Sequence, residues 1–226
     1  MQPQIVAGVL LAAGGGSRLG HPKALVVVGG QSMARRGVTL LRDGGTNPVI
    51  VVTGATGPDA VVTGPEAGLI GPEAGVTGPD TGPDDRERAV ISVHNPDWSA
   101  GMGSSVAVGL GAVPDECSAA VLALADQPLV GPQAVRRLLA AHAAGASVAV
   151  ACYDGRPRNP VLISREHWPA VIELATGDSG AREFLRARPE LVTLVECGDT
   201  GSCDDVDTPE DLARIRTVAS VRSEKP

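Results

Sequence analysis

The chain has 226 residues, 43% of them hydrophobic and 20% charged, with a formal net charge of −7 and only 2% aromatic residues. That length suits one substantial domain spanning residues 1–226. An acidic chain poor in stacking rings excludes a nucleic-acid surface, and no apolar run approaches the ~20 residues that cross a bilayer, so no membrane association is expected.

The N-terminus, MQPQIVAGVLLAAGG, lacks the basic start of a secretory signal, so a cytoplasmic location is expected. Its apolar run predicts a first strand over residues 5–12. The strand runs into LLAAGGGSRLGHPKAL, where three glycines are followed by Arg18 and Lys23. Two familiar phosphate loops fail here. The dinucleotide pattern needs glycine where Leu19 stands, and after Gly15 to Gly20 a Walker loop needs Lys-Ser/Thr where His21-Pro22 stands. What remains is a longer loop whose amides, from Ala13 to Ser17, wrap an anion while Arg18 and Lys23 close on it. Of the two lysines, Lys23 and Lys225, only Lys23 is internal.

A helix is predicted over 31–43 and a strand over 48–53. The segment 57–85 then repeats Gly-Pro-acid every seven residues from Gly57, Gly64, Gly71 and Gly78. A Gly-Pro in every heptad breaks any helix, and so little apolar content buries no core; a mobile acidic insertion is expected. After a strand over 89–94 comes NPDWSAGMGSSVAVGL, residues 95–110, with a turn at Asn95-Pro96-Asp97 and a helix over 102–112. Ser104 and Ser105 at its start either cap that helix or bond a base and ribose.

The strand over 119–125 ends in LALADQPLV, which puts Asp126 at the carboxyl edge of the sheet. An acid there is either a helix cap or a Mg²⁺ ligand, since Mg²⁺ takes one or two carboxylates plus substrate phosphates. A helix over 131–144, strands over 147–152 and 160–163, helices over 165–175 and 179–188, and a strand over 191–195 follow. In DDVDTPEDL, residues 204–212, Thr208 and Pro209 open a helix predicted over 208–220, leaving Asp207 free to reach the same metal. Apolar strands alternating with helices indicate an α/β fold with a mainly parallel sheet covered on both faces. Cys117, Cys152, Cys197 and Cys203 form no CxxC pair and are expected to be reduced structural thiols.

Taken together, LAAGGGSRLG-x-PKAL, NPDW-x-x-GM-x-SS, ADQP, NPVLI and DVDTPEDL resemble the nucleotidyltransferases related to molybdenum cofactor biosynthesis, across almost the whole chain. The double-alanine LAAG and the ADQP are more similar to the cytidylyltransferase branch than to the guanylyltransferase branch, whose loop reads LAGG. The resemblance implies a three-layer Rossmann-like nucleotidyltransferase fold, a nucleoside triphosphate (CTP favoured), a phosphorylated small-molecule acceptor such as molybdopterin, and Mg²⁺. It also implies a molybdoenzyme or cofactor-pathway protein as partner. Leu11, Ala12, Ala13 and Gly14 would hold base and ribose, and Gly15, Gly16 and Ser17 the triphosphate. Arg18 and Lys23 would neutralise it, Ser104 and Ser105 would approach the base, and Asp126 and Asp207 would bind Mg²⁺. RPRNPVLI and TGDSGAR look like acceptor loops, with Asn159 and Arg182 as contacts. Other readings are a guanylyltransferase, a sugar-phosphate or phospholactate nucleotidyltransferase, and a regulatory module that binds nucleotide without turnover.

Overall fold

The computed structural model describes residues 4–56 and 90–223; the repeats at 57–85 lie outside the described residues. Strands β1 (Ile5–Leu11), β4 (Val49–Thr53), β5 (Val90–His94), β6 (Cys117–Leu124), β7 (Val148–Tyr153), β8 (Arg156–Ser164) and β9 (Val192–Glu196) form one sheet in the order β5-β4-β1-β6-β8-β7-β9. Every pairing is parallel except those made by β8, which runs antiparallel to both β6 and β7.

The direction of β8 has a local cause. Asp154 and Gly155 both take positive φ, 52° and 74°, and Tyr153 pairs with Arg156 across them. Two left-handed residues in a two-residue loop turn the chain back on itself as a hairpin. The strand predicted over 160–163 is therefore longer and starts at Arg156. Gly29-Gly30 makes a second such turn, between β2 (Val27–Val28) and β3 (Gln31–Ser32). The helix predicted from residue 31 accordingly begins later, as α1 (Met33–Gly44), with Ser32 Oγ accepting from Arg35 N and Gly45 closing its far end at φ 100°.

Side chains that alternate along each strand separate into two cores, one on each face of the sheet. Leu10, Val51, Val121 and Leu162 pack with Val38 and Leu41 of α1 and with Val135 and Leu138 of α3 (Pro132–Ala143). Val9, Val52, Leu122, Val150 and Ile163 pack with Val106 and Leu110 of α2 (Met102–Gly111), Trp168 and Val171 of α4 (Trp168–Leu174) and Phe184 of α5 (Arg182–Ala187). Strands buried on both sides read as continuous apolar runs, which is why they stood out in the sequence. The three-layer Rossmann-like α/β fold follows.

A third, smaller core joins Leu19 of the glycine loop, Val28, Met33, Leu129 and Val206 to Leu212 and Ile215 of α6 (Pro209–Ser223). It anchors the four segments that carry the site described below. Cys117, Cys152 and Cys197 are buried, Cys203 is half-buried, and all four are free. Burial pushes each thiol above its ordinary pKa, which makes them poor nucleophiles. Among the described residues, no helix is long and apolar enough to cross a membrane.

Candidate active site

The strand order reverses direction between β1 and β6, and the chain leaves the carboxyl ends of both strands there. In open α/β sheets, ligands bind outside such a switch point. Leu11 pairs with Leu124 at this edge, and beyond it Ala125 N donates to Leu11 O and Ala12 N to Val52 O. The glycine loop and Asp126 thus leave the sheet side by side.

From Ala13 to Ser17, no backbone N–H donates a hydrogen bond among the described residues. Such a run of unpaired amides is an anion-binding concavity. Gly16 closes it with φ 63°, and a Cβ there would lie 2.1 Å from His21 O, so no other residue fits. Leu19 N and Gly20 N both donate to Gly16 O, which folds the loop back and brings Lys23 to the sheet edge.

There Lys23 Nζ donates to Asp126 Oδ2 at 2.9 Å and to Asp207 Oδ1 at 2.5 Å. Burial works to lower the lysine pKa, but the charges and hydrogen bonds of Asp126 and Asp207 outweigh it and leave the pKa raised. Lys23 is therefore an ammonium throughout the neutral range. Asp207 is aimed by its neighbours: Val206 N donates to Asp126 O, and Asp211 Oδ2 accepts from Asp207 N and Thr208 N while Asp211 N donates to Thr208 Oγ1. That reciprocal pair is a capping box at the start of α6.

Gln127, to which the sequence reading gave no role, is buried beside Asp126. Its amide donates to Cys203 O at 3.1 Å and to Asp205 Oδ1 at 2.8 Å, tying the 203–207 segment to the end of β6. Asp205 opens on the cleft, yet desolvation by surrounding protein, followed by the charge of Asp126, raises its carboxyl pKa. A polar residue inside the otherwise apolar LALADQPLV was the only signal of Gln127 in the sequence.

These groups share a cleft of about 1160 Å³. Gly16, Ser17, Arg18, Lys23, Asp126 and Asp207 line it, and so do Asn159, Arg158 and Arg182. Arg18, Arg158 and Arg182 make no hydrogen bond or ion pair among the described residues. Part of the lining is apolar: Val161, Val150 and Leu194 are neighbours across β8, β7 and β9, and Leu185 of α5 lines the same cleft. Leu194 is 52% exposed.

The remaining predicted residues lie elsewhere. Leu11 to Gly15 do not line this cleft; Ala12 and Ala13 are buried and Gly14 is exposed. Ser104 and Ser105 do not line it either. Both hydroxyls accept from the Asn95 amide, at 2.9 and 3.0 Å, and Asn95 Oδ1 accepts from Asp97 N in the expected turn. The two serines brace the loop that carries Trp98, whose ring lies against Gly15, where a Cβ would approach it to 3.1 Å. Helix α2 has no side-chain cap.

Residues 8–192 match the family model described as the MobA-like NTP transferase domain. A protein named nicotine blue oxidoreductase, from Paenarthrobacter nicotinovorans, is 36% identical over 217 residues, 93% of this chain and 96% of that one. Rv0371c from Mycobacterium tuberculosis H37Rv is 25% identical with a TM-score of 0.70, over 95% of this chain and 98% of that one, and has also been solved in complex with manganese. A nucleotidyl transferase from Methanothermobacter thermautotroptrophicus is 20% identical, with a TM-score of 0.72 over 98% of this chain and 100% of that one. With its glycine loop, its ADQP turn and its DVDTPEDL helix start gathered at one switch point, the chain belongs to the MobA-like NTP transferase family of nucleotidyltransferases.

Proposed function

We propose that the protein transfers the nucleoside monophosphate of a triphosphate, CTP by preference, to the phosphate of a small acceptor of the molybdopterin type, releasing pyrophosphate in a Mg²⁺-dependent reaction. The observation that carries this reading is the convergence of Lys23, Asp126 and Asp207 beside the unpaired amides of the glycine loop, at 2.9 and 2.5 Å.

The base and ribose would lie against Leu11 to Gly14, and the triphosphate on the amides of Gly15 to Ser17, with Arg18 alongside. A phosphate monoester is already a competent nucleophile near neutral pH, so the site needs no serine or cysteine nucleophile. An acceptor oxygen bonds to the α-phosphorus, the bond to the α,β-bridging oxygen breaks, and pyrophosphate leaves with the electron pair. The protein aligns the two phosphates and offsets the growing charge. Asp126 and Asp207 are hard oxygen donors of the kind Mg²⁺ uses together with substrate phosphates. When bound, such an ion neutralises charge on the phosphoryl oxygens.

For the acceptor, the apolar lining of Val150, Val161 and Leu194 suits a ring system, and Arg158, Arg182 and Asn159 suit its anionic groups. The test is pyrophosphate release measured with each nucleoside triphosphate against a panel of acceptors that includes molybdopterin. Release with CTP and molybdopterin supports the reading. Release confined to GTP, or to a sugar phosphate or phospholactate-like acid, replaces the base or the acceptor, and binding without release makes the chain a regulatory module.

A second reading has one observation in its favour, the 36% identity to a protein named as an oxidoreductase. In it the cleft would hold a reducing dinucleotide through contacts other than the dinucleotide glycine pattern, which this loop lacks at Leu19. Oxidation of NADH or NADPH with nicotine blue, without pyrophosphate release, would select that reading.

A further inference from the structure

Asp126 and Asp207 are expected to hold a divalent ion, yet both carboxylates are already engaged by one ammonium. Lys23 Nζ lies 2.9 Å from Asp126 and 2.5 Å from Asp207, and its side chain is only 19% exposed. One ammonium thus offsets one of the two carboxylate charges within the protein. Among the described residues, no group of three or more His, Cys, Asp or Glu side chains is placed to hold a metal. A small dication gains little from two acids that already share a cation, and it is repelled by that cation at a few ångströms.

Lys23 is also able to leave. It opens the short turn Lys23–Leu25 directly after the glycine loop, on a flexible four-carbon stem. Gly16 and Ser17 line the same cleft, so phosphates on their amides would offer the ammonium other partners.

We propose that Lys23 is an exchangeable counter-ion: in the free protein it occupies the place between Asp126 and Asp207 that a divalent metal takes, and an arriving triphosphate draws it away. The inference rests on the nucleotidyltransferase reading and gives it an order of events. Metal alone binds weakly, nucleotide opens its site, and by linkage each raises the affinity of the other by the same factor. The carboxylates are then never left bare, which spares the protein two unpaired acids in a partly buried cleft.

The first test uses Mn²⁺ alone, followed by the electron paramagnetic resonance of the free ion. Lys23→Met keeps most of the apolar stem and removes the charge. It should bind Mn²⁺ at least ~tenfold more tightly than wild type, and the gain should vanish when Asp126→Asn is added. Equal affinity of wild type and Lys23→Met overturns the proposal. The second test needs no variant. The chain has two lysines, Lys23 and Lys225, so ¹³C labelling at lysine Cε yields two resonances. Millimolar Mg²⁺ alone should leave the Lys23 resonance in place, and α,β-methylene-CTP with Mg²⁺ should move it. Movement with Mg²⁺ alone, or none when calorimetry shows the analogue bound, overturns the exchange. If the analogue does not bind at all, it is the CTP reading of the base that fails, and the Mn²⁺ titration still decides whether Lys23 guards the carboxylates.

Discussion

Gly103 and Ala175 touch backbone to backbone: a Cβ on Gly103 would lie 2.1 Å from the Ala175 carbonyl oxygen. Two positions earlier, Gly101 has φ 110°, and a Cβ there would meet the Gly177 carbonyl carbon at 2.4 Å. The GMGSS and TGDSG segments, 70 or more residues apart in the chain, therefore form one wall, and Met102 between the two glycines faces the cleft. Gly103→Ala has no space to enter without moving backbone. Overpacking of this kind costs about 1–3 kcal/mol, which lowers Tm by several degrees at ~2–4 °C per kcal/mol for a chain of this size. Thermal unfolding checks this, and because Met102, Asp178 and Ser179 of the displaced wall line the cleft, acceptor KM should rise more than nucleotide KM. An unchanged Tm would show that the 175–177 segment yields freely.

Asp126→Asn separates catalysis from folding. The Asp126 backbone carbonyl holds Val206 N whichever side chain is present, and Asn keeps a side-chain oxygen that accepts from Lys23 Nζ, so the change should cost about 1 kcal/mol. Tm should fall by no more than ~4 °C, while metal-supported turnover falls at least ~hundredfold. Loss of folded protein would mean that the carboxylate serves the turn instead.

Arg158 and Arg182 line the cleft together with Lys23 and make no hydrogen bond or ion pair among the described residues. Arg182→Ala or Arg158→Ala should raise acceptor KM by about tenfold to a hundredfold, the range for losing a charge-assisted hydrogen bond. Nucleotide affinity, measured by calorimetry without acceptor, should stay within about twofold, since neither residue belongs to the glycine loop. Equal losses for both substrates would merge the two proposed subsites into one.

Base choice is expected to turn on Ala13. Ala12 and Ala13 are both buried; the methyl of Ala12 belongs to the core under the sheet, so any effect on base choice falls to Ala13, where the guanylyl-type loop has glycine, through the path it sets for the loop backbone. Wild type should prefer CTP over GTP by at least ~tenfold in kcat/KM, and Ala13→Gly should erase about that much of the preference, since one methyl group is worth roughly tenfold or more in a fitted pocket. An unaltered ratio in Ala13→Gly removes this residue from the base site.

Much of the molecule is determined by local sequence. Runs such as VIVVT are buried on both faces and can only be inner strands. GGG with Arg18 and Lys23 announces an anion loop, and the capping box of Thr208 and Asp211 announces a helix start within four residues. Each of these rests on neighbours a few positions apart, so each can be read without a fold. The Gly29-Gly30 and Asp154-Gly155 hairpins belong to the same class, because positive φ at two adjacent residues is a local property that these dipeptides signal.

Tertiary structure alone decides the partnerships. Lys23 meets Asp126 across 103 positions and Asp207 across 184, because β1 and β6 are neighbours at the switch point and the third core pins α6 beneath them. The amide of Asn95 takes both serine hydroxyls, giving Ser104 and Ser105 a bracing role that a helix-start motif does not announce. Gln127 finds Asp205 only because β6 delivers it under the 203–207 segment. A hydrogen bond or an ion pair depends on distance in space, and spacing along the chain carries that distance only within a single element.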